Sequence, residues 1–210
     1  MNNTLIDNSI EALSMTATLR KCLAIDGIKT VSIATGYWDI PGLAILQENL
    51  RSFIEKDGTT LRLLIGKDPY IYANQLKSPK YKDANYPLDF IKTDIHELNV
   101  TEEYKDAIRL LLDYCTENND SKIQIRVFRK NENDETQFLH SKCYIFDGKS
   151  NGIGIGIVGS TNFTQKGLQG NAELNYIETA PNQVLSLDKI PGNKSHLIWF
   201  NEKWEISEPS

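Results

Sequence analysis

The stretch FLHSKCYIFDG, residues 138–148, places a histidine and a lysine in a run of apolar, β-branched and aromatic residues. Such a run is typical of a buried β-strand, where lysine is among the least expected residues. Because side chains alternate along a strand, His140 and Lys142 would share one face, about 7 Å apart, and Asp147 would lie on the other. An imidazole beside an ammonium group suits chemistry on a phosphate, since one group attacks phosphorus and the other neutralises oxygen charge.

A second polar stretch, GSTN at 159–162, follows a strand pattern with glycines on one face, GIGIGIV at 152–158. Glycine in a strand lets a ligand, another backbone or a second subunit approach closely. Ser160 or Thr161 is predicted to cap a short helix, whose free N–H groups would form an anion site. Glu173, at the start of the next strand, is expected to hydrogen-bond the imidazole and fix its tautomer.

Composition restricts the function classes. The chain has 210 residues, 40% of them hydrophobic, and a formal net charge of −5, which argues against a surface that coats nucleic acid but not against a local basic cleft. No apolar run approaches the length of a membrane span, and the N-terminus does not resemble a secretory signal. Three scattered cysteines without CxxC spacing favour neither a zinc site nor a disulfide framework, so we expect a cytoplasmic protein.

Helical and strand patterns alternate along the chain, which predicts an α/β fold with a mixed β-sheet flanked by helices on both faces. Helices are predicted at 10–24, 41–58, 101–118 and 197–207, and strands at 28–38, 60–68, 122–128, 138–146, 152–158 and 173–179. The intervening segments 69–100 and 130–136 are predicted to be irregular.

The two motifs resemble the signatures of the phospholipase D superfamily. HSKCYIFD matches the H-x-K-x4-D motif of that superfamily, and GSTN matches its companion motif G-S-x-N. The resemblance implies a phospholipase D-like α/β/α sandwich and phosphodiesterase chemistry that needs no metal and no cofactor. One departure is the spacing: eleven residues separate Asp147 from Gly159, more than in many members, which predicts a lengthened hairpin.

The resemblance also implies roles for individual residues. His140 is similar to the nucleophile that forms a phosphohistidine, and Glu173 to the acidic residue that orients it. Lys142 and Asn162 are similar to the ligands of the phosphate oxygens, with Ser160 assisting.

The remaining signature residues, Asp147 and Gly159, are structural in this family. Asp147 would lie on the strand face opposite His140 and Lys142, which independently supports a structural role for it.

The H-x-K motif occurs once, whereas the family's site uses two motifs that face each other. The resemblance therefore implies a homodimer with the site on its two-fold axis. SIATGYWDIPGLAILQENL, LRLLIGKDP and FNEKWEISEPS look like a helicase-linked group, as well as like bacterial metal-independent endonucleases. We therefore expect one domain over 1–210 that precedes a C-terminal helicase domain.

Alternatives stay open at this point. The leading hypothesis is a nuclease acting on nucleic acid, with DNA the expected substrate; the alternatives are a catalytically silent dimerisation or DNA-docking module and, less favoured, a phospholipid hydrolase. Tyr37 and Trp38 suit a cleft and the core equally. The lysine-rich stretch 76–83 suits a solvated loop better than a phosphate-backbone contact. Surface or structural roles are expected for His96 and His196, and buried packing for Cys143.

Overall fold

The computed structural model of the chain describes residues 5–66, 102–115, 121–128, 139–185 and 194–209. Its strands are β1 (Leu5–Asp7), β2 (Thr30–Thr35), β3 (Thr60–Ile65), β4 (Ile123–Val127), β5 (Cys143–Asp147), β6 (Gly154–Gly159), β7 (Leu174–Glu178) and β8 (Glu208–Pro209). Its helices are α1 (Met15–Leu23), α2 (Ile40–Ile54), α3 (Glu102–Tyr114), α4 (Pro181–Val184) and α5 (His196–Glu205).

The described strands form one eight-stranded sheet in the order β1-β7-β6-β5-β2-β3-β4-β8. The neighbours β2, β3 and β4 are parallel, as expected for strands joined through helices. The strands β5, β6 and β7 continue the sheet as an antiparallel meander beside β2. The predicted mixed sheet is therefore confirmed.

Each face of the sheet carries its own apolar layer. On one face, α1, α2 and α3 pack against inward side chains that include Val31, Leu61, Tyr144 and Phe146. On the other face, α4 and α5 contribute Val184, Phe200 and Trp204, which pack with Ala34, Leu64, Cys143 and Ile145. Alternation along β5 therefore decides the layer of each residue, and helices cover both faces as predicted.

Two predictions about the elements were wrong. The N-terminal helix begins only at Met15, where Ser14 accepts a hydrogen bond from the backbone N–H of Ala17, and a short edge strand, β1, precedes it. The strand of the first motif begins at Cys143, so His140 and Lys142 lie just before the strand instead of within it. The expectations for 69–100, for 130–136 and for a cap at Thr101 lie outside the described residues.

The topology gathers strand ends at one edge of the sheet. Ala34, near the end of β2, pairs with Cys143 at the start of β5, and Cys143 also pairs with Val158 near the end of β6. Gly159 in turn pairs with Asn175 at the start of β7. Both sequence motifs and Glu173 are thus brought to the same edge.

Candidate active site

The H-x-K motif forms the centre of this edge. His140 is exposed, while Lys142 is buried, with 7% of its surface accessible. The ammonium group of Lys142 donates a hydrogen bond to the backbone carbonyl of His140, with 2.6 Å between Nζ and O. The lysine therefore braces the segment that carries the histidine.

Glu173 lies close enough to Lys142 to influence its charge. Burial lowers the pKa of the Lys142 ammonium, and the negative charge of Glu173 opposes that shift. The Glu173 carboxylate accepts hydrogen bonds from the Ser160 hydroxyl and, at 3.1 Å, from Nδ2 of Asn171. The hydrogen bond expected between Glu173 and the imidazole of His140 stays a prediction.

Asn162 is held by the end of β2. Its Oδ1 accepts a hydrogen bond from the backbone N–H of Tyr37 at 3.2 Å and lies 3.4 Å from Oγ1 of Thr35, whose hydroxyl donates to the Tyr37 carbonyl at 2.6 Å. Thr35 is fully buried, and its hydroxyl also accepts a hydrogen bond from the N–H of Phe163 at 3.0 Å. Since Oδ1 accepts from the Tyr37 N–H, the Nδ2 group of Asn162 is the end of the amide that suits a phosphate oxygen.

Two glycines allow the elements of the site to approach each other. A Cβ on Gly36 would lie 3.4 Å from Asn162 Oδ1 and 3.6 Å from His140 Cδ2, so these two atoms are at most about 7 Å apart. A Cβ on Gly66, which follows β3, would overlap the carbonyl group of Leu139. The residue before His140 therefore crosses the end of β3 at a distance that only glycine permits.

The GSTN segment is anchored by side chains. Nδ2 of the buried Asn175 donates to Oγ1 of Thr161 at 2.8 Å, and Oδ1 of Asn175 accepts from the N–H of Thr161 at 3.2 Å. The phenol of Tyr144 donates to the Thr161 carbonyl at 2.9 Å. A Cβ on Gly159 would collide with Asn175, which gives the motif glycine its structural reason.

The predicted helix cap at Ser160 or Thr161 is wrong. The next helical turn, a π-helical one, is Lys166–Gly170, and a backbone N–H in it, that of Gly167, donates to Oγ1 of Thr164 at 3.1 Å. The hydroxyls of Ser160 and Thr161 instead bond to Glu173 and Asn175, because the antiparallel start of β7 lies directly beside them.

Asp147 lies at the far end of β5 from the H-x-K motif. Its Oδ1 accepts a hydrogen bond from the backbone N–H of Lys149 at 2.6 Å, within the β5–β6 hairpin. Its charge acts on Arg62, whose guanidinium group lies over the rings of Phe200 and Trp204 in the α5 layer. This arrangement agrees with two predictions: that Asp147 lies on the strand face opposite His140 and Lys142, and that the hairpin after it is lengthened.

The glycine-bearing face of β6 is covered by the chain itself. Leu185 lies over Gly154, and the ring of His196 lies over Gly156. The expected approach of a ligand or a second subunit at these glycines is therefore wrong. Nδ1 of His196 lies 3.0 Å from the carbonyl oxygen of Gln183, so the histidine has the structural role expected of it.

Three further expectations have outcomes in the described residues. Trp38 is a core residue, 4% exposed, whereas Tyr37 lies at the site through its backbone N–H. Burial raises the pKa of the Cys143 thiol to about 12, which agrees with the packing role predicted for it. His96 and the stretch 76–83 lie outside the described residues.

Sequence reasoning missed Thr35, Gly36, Gly66 and Asn175. The signals were present but weak. Both parallel strands, IKTVSIATG and LRLLIG, end in glycine. Asn175 is a polar residue at an inward-facing position of β7, where an apolar side chain is expected. Among the described residues, no group of three or more His, Cys, Asp or Glu side chains is arranged to hold a metal ion.

The match to known families is extensive. A family model described as "Cardiolipin synthase, PLD-like domain" matches residues 22–190, which include every site residue above. The chain belongs to this PLD-like family. Comparison with curated proteins finds no match.

Two solved structures share the PLD-like fold of the chain. Nuc from Salmonella typhimurium, a phospholipase D family member, has a TM-score of 0.54 and 14% identity, covering 98% of this chain and 95% of that chain. NucT from Helicobacter pylori has a TM-score of 0.52 and 12% identity, covering 99% of this chain and 98% of that chain. These likenesses agree with the predicted phospholipase D-like sandwich.

Within the parts of the chain that the structure describes, no helix has both the length and the apolar character needed to cross a bilayer.

Proposed function

We propose that the chain is a phosphodiesterase that cleaves nucleic acid, with DNA as the expected substrate, through a phosphohistidine on His140. The observation that carries the proposal is the convergence of His140, Lys142, Asn162 and the Ser160–Glu173 pair at one edge of the sheet. Membership of the PLD-like family supports phosphodiesterase chemistry. Nucleic acid as the substrate class rests on the sequence resemblance to endonucleases.

The chemistry assigns a balanced role to each group. An imidazole nitrogen of His140 attacks phosphorus, and the bond from phosphorus to the leaving oxygen breaks as that oxygen takes a proton from a second histidine. Water then attacks the phosphohistidine and gives a proton to the second histidine, and the bond from phosphorus to the His140 nitrogen breaks, which releases the phosphate product and restores both imidazoles. Lys142, which gives one of its three N–H donors to the His140 carbonyl, and Asn162 stabilise the charge on the phosphate oxygens.

The second histidine is proposed to be His140 of the partner subunit in a homodimer. An exposed apolar patch supports this: Leu5, Leu174 and Tyr176 are 54%, 58% and 44% exposed, and Leu5 pairs with Tyr176 across β1 and β7. The patch begins at Leu174, the residue after Glu173, and so adjoins the site. Exposed apolar patches that include aromatic side chains are typical of protein interfaces.

Cleavage in excess EDTA tests the catalytic proposal. The purified chain is incubated with single-stranded and duplex DNA beside its His140→Ala variant. Cleavage by the parent alone supports the phosphohistidine mechanism. Cleavage that EDTA abolishes, or that His140→Ala retains, would contradict it.

Light scattering tests the dimer. Leu174→Glu is expected to be a monomer without activity, because a buried unpaired carboxylate opposes association. Leu112→Glu is the matched control, since Leu112 is a 73% exposed leucine on α3. A Leu174→Glu variant that remains dimeric and active would rule out this patch as the interface.

The same samples discriminate the other candidate functions. A folded dimer that binds DNA without cleaving it would support a catalytically silent docking module, the role expected for a domain attached to a helicase. The family description names a phospholipid enzyme, so phosphatidylglycerol vesicles are included as a substrate. Hydrolysis of lipid but not of DNA would replace the nuclease proposal.

A further inference from the structure

A cleft of about 420 Å³ opens beside the site, on the face of the sheet that α5 covers. Its floor is formed by Lys142, just before β5, by Cys143 at the start of β5, and by Val158 and Gly159 at the end of β6. The N-terminal turn of α5 forms the opposite wall, where Trp199 lines the cleft. The cleft therefore extends from the H-x-K segment to an aromatic side chain.

The lining of the cleft is apolar inside and includes two lysines. Cys143, Val158 and Trp199 supply the apolar surface. The lysines are Lys142, beside the site, and Lys194, whose ammonium group the Glu202 carboxylate holds at 2.6 Å. A ligand that carries both a flat apolar ring and a phosphate complements such a surface better than either group alone does.

The wall that carries Trp199 is fixed before any ligand arrives. Ser195 caps α5 by accepting a hydrogen bond from the N–H of Ile198 at 3.1 Å. His196 rests on Gly156 and bonds to the Gln183 carbonyl. The cost of ordering this wall on binding is consequently small.

We propose that this cleft binds a base of the nucleic-acid substrate, the one next to the phosphate held by Lys142, with the base stacked on Trp199. The proposal deepens the proposed function and rests on it. The volume lies within the range of small-molecule sites, and stacking on an aromatic side chain is tolerant of base identity. A substrate strand would thus be gripped at its phosphate by Lys142 and at its base by Trp199.

Binding to a cleavage-deficient background tests the base site. His140→Ala is titrated with thymidine single-stranded DNA of about ten nucleotides, a length one binding module covers, and with an abasic backbone of the same length. The thymidine strand is expected to bind more tightly. The double variant His140→Ala/Trp199→Leu should bind the thymidine strand about 5- to 150-fold more weakly, the range for one stacked base. Its binding of the abasic strand should be unchanged. Trp199→Phe, which keeps a ring, should restore most of the affinity.

Each result decides the proposal. Equal binding of the two strands, binding of neither strand, or a Trp199→Leu variant that binds thymidine like its background would overturn the base site. Circular dichroism and light scattering confirm that the variants share the fold and mass of the parent.

Cleavage of DNA by the parent in EDTA is recorded separately, so that the proposed function stands or falls on its own result. If phosphatidylglycerol vesicles bind in a Trp199-dependent manner and thymidine strands do not, the cleft binds lipid and the base site is wrong.

Discussion

The side chain of Lys142 turns back onto the chain that precedes it and donates a hydrogen bond to the carbonyl oxygen of His140, with 2.6 Å between Nζ and O. We propose two tasks for this ammonium group. One of its three N–H bonds orients the segment of the histidine, and the two that make no bond among the described residues are proposed to bind a phosphate. A lysine with 7% of its surface exposed is destabilising for the fold, which supports the role in phosphate binding proposed for Lys142.

Lys142→Met is expected to lower kcat/KM about 10²- to 10³-fold, the loss typical of one oxyanion donor. The pH dependence of the free energy of unfolding, compared between the parent and Lys142→Met, is equally diagnostic. Burial puts the pKa of Lys142 in the folded chain below its ordinary value of 10.5, so between the two values the unfolded chain binds more protons. The stability of the parent relative to Lys142→Met should therefore rise with pH across that window, as measured by urea unfolding. Lys166→Met, at an exposed position, serves as the control.

Glu173→Gln is expected to shift the pH profile of activity. The Glu173 carboxylate raises the pKa of Lys142 against the effect of burial, so its loss lowers that pKa further. The alkaline limb of kcat/KM, where Lys142 loses its charge, should move to lower pH. Glu55→Gln, at the end of α2, should leave the limb in place. A limb that moves upward or not at all would show that another group titrates there.

Gly66→Ala is expected to reduce activity far more than stability. The new Cβ would overlap the carbonyl group of Leu139 and push the backbone next to His140, and a displacement of about 1 Å can reduce rate about 10²-fold. Gly170→Ala is the matched control, because its Cβ would meet only Lys166 at ordinary contact distances of 3.9 and 4.0 Å. Kinetics beside thermal unfolding measure both effects. Full activity in Gly66→Ala would contradict the positioning role.

The main residues of the candidate site could be selected from the sequence because each of them breaks a local pattern. His140 and Lys142 interrupt an apolar run, and the alternation around them assigns Tyr144 to one layer and Cys143 to the other. These are short-range signals. The mixed sheet followed from the same periodicities.

The missed features depend on contacts between distant parts of the chain. The contact of Gly66 with Leu139 exists only because β3 and the segment before β5 meet at one edge of the sheet. The strand that was predicted to contain His140 begins at Cys143, three residues later. Likewise, Ser160 and Thr161 are residue types that often cap helices. The nearby start of β7 instead provides Glu173 and Asn175 as partners for their hydroxyls. Propensity alone does not detect such tertiary competition.

Asn175→Ala tests whether the position of the GSTN segment depends on the two hydrogen bonds between Asn175 and Thr161. The change removes both bonds to Thr161, a fully buried residue, and leaves the Thr161 N–H without its acceptor, at a loss of about 2 kcal/mol in the free energy of unfolding. Activity should also fall, because Asn162 follows directly.

Asn175→Asp separates the two effects. It keeps an acceptor for the Thr161 N–H, so the geometry of the segment should persist better than in the alanine variant, although an uncompensated buried carboxylate still lowers stability. Urea unfolding and kcat/KM are measured for both variants beside Asn182→Ala, an exposed control. If Asn175→Ala loses stability but keeps full kcat/KM below its unfolding transition, the bonds of Asn175 stabilise the fold only, and Asn162, the proposed phosphate ligand, is positioned by Thr35 and Tyr37.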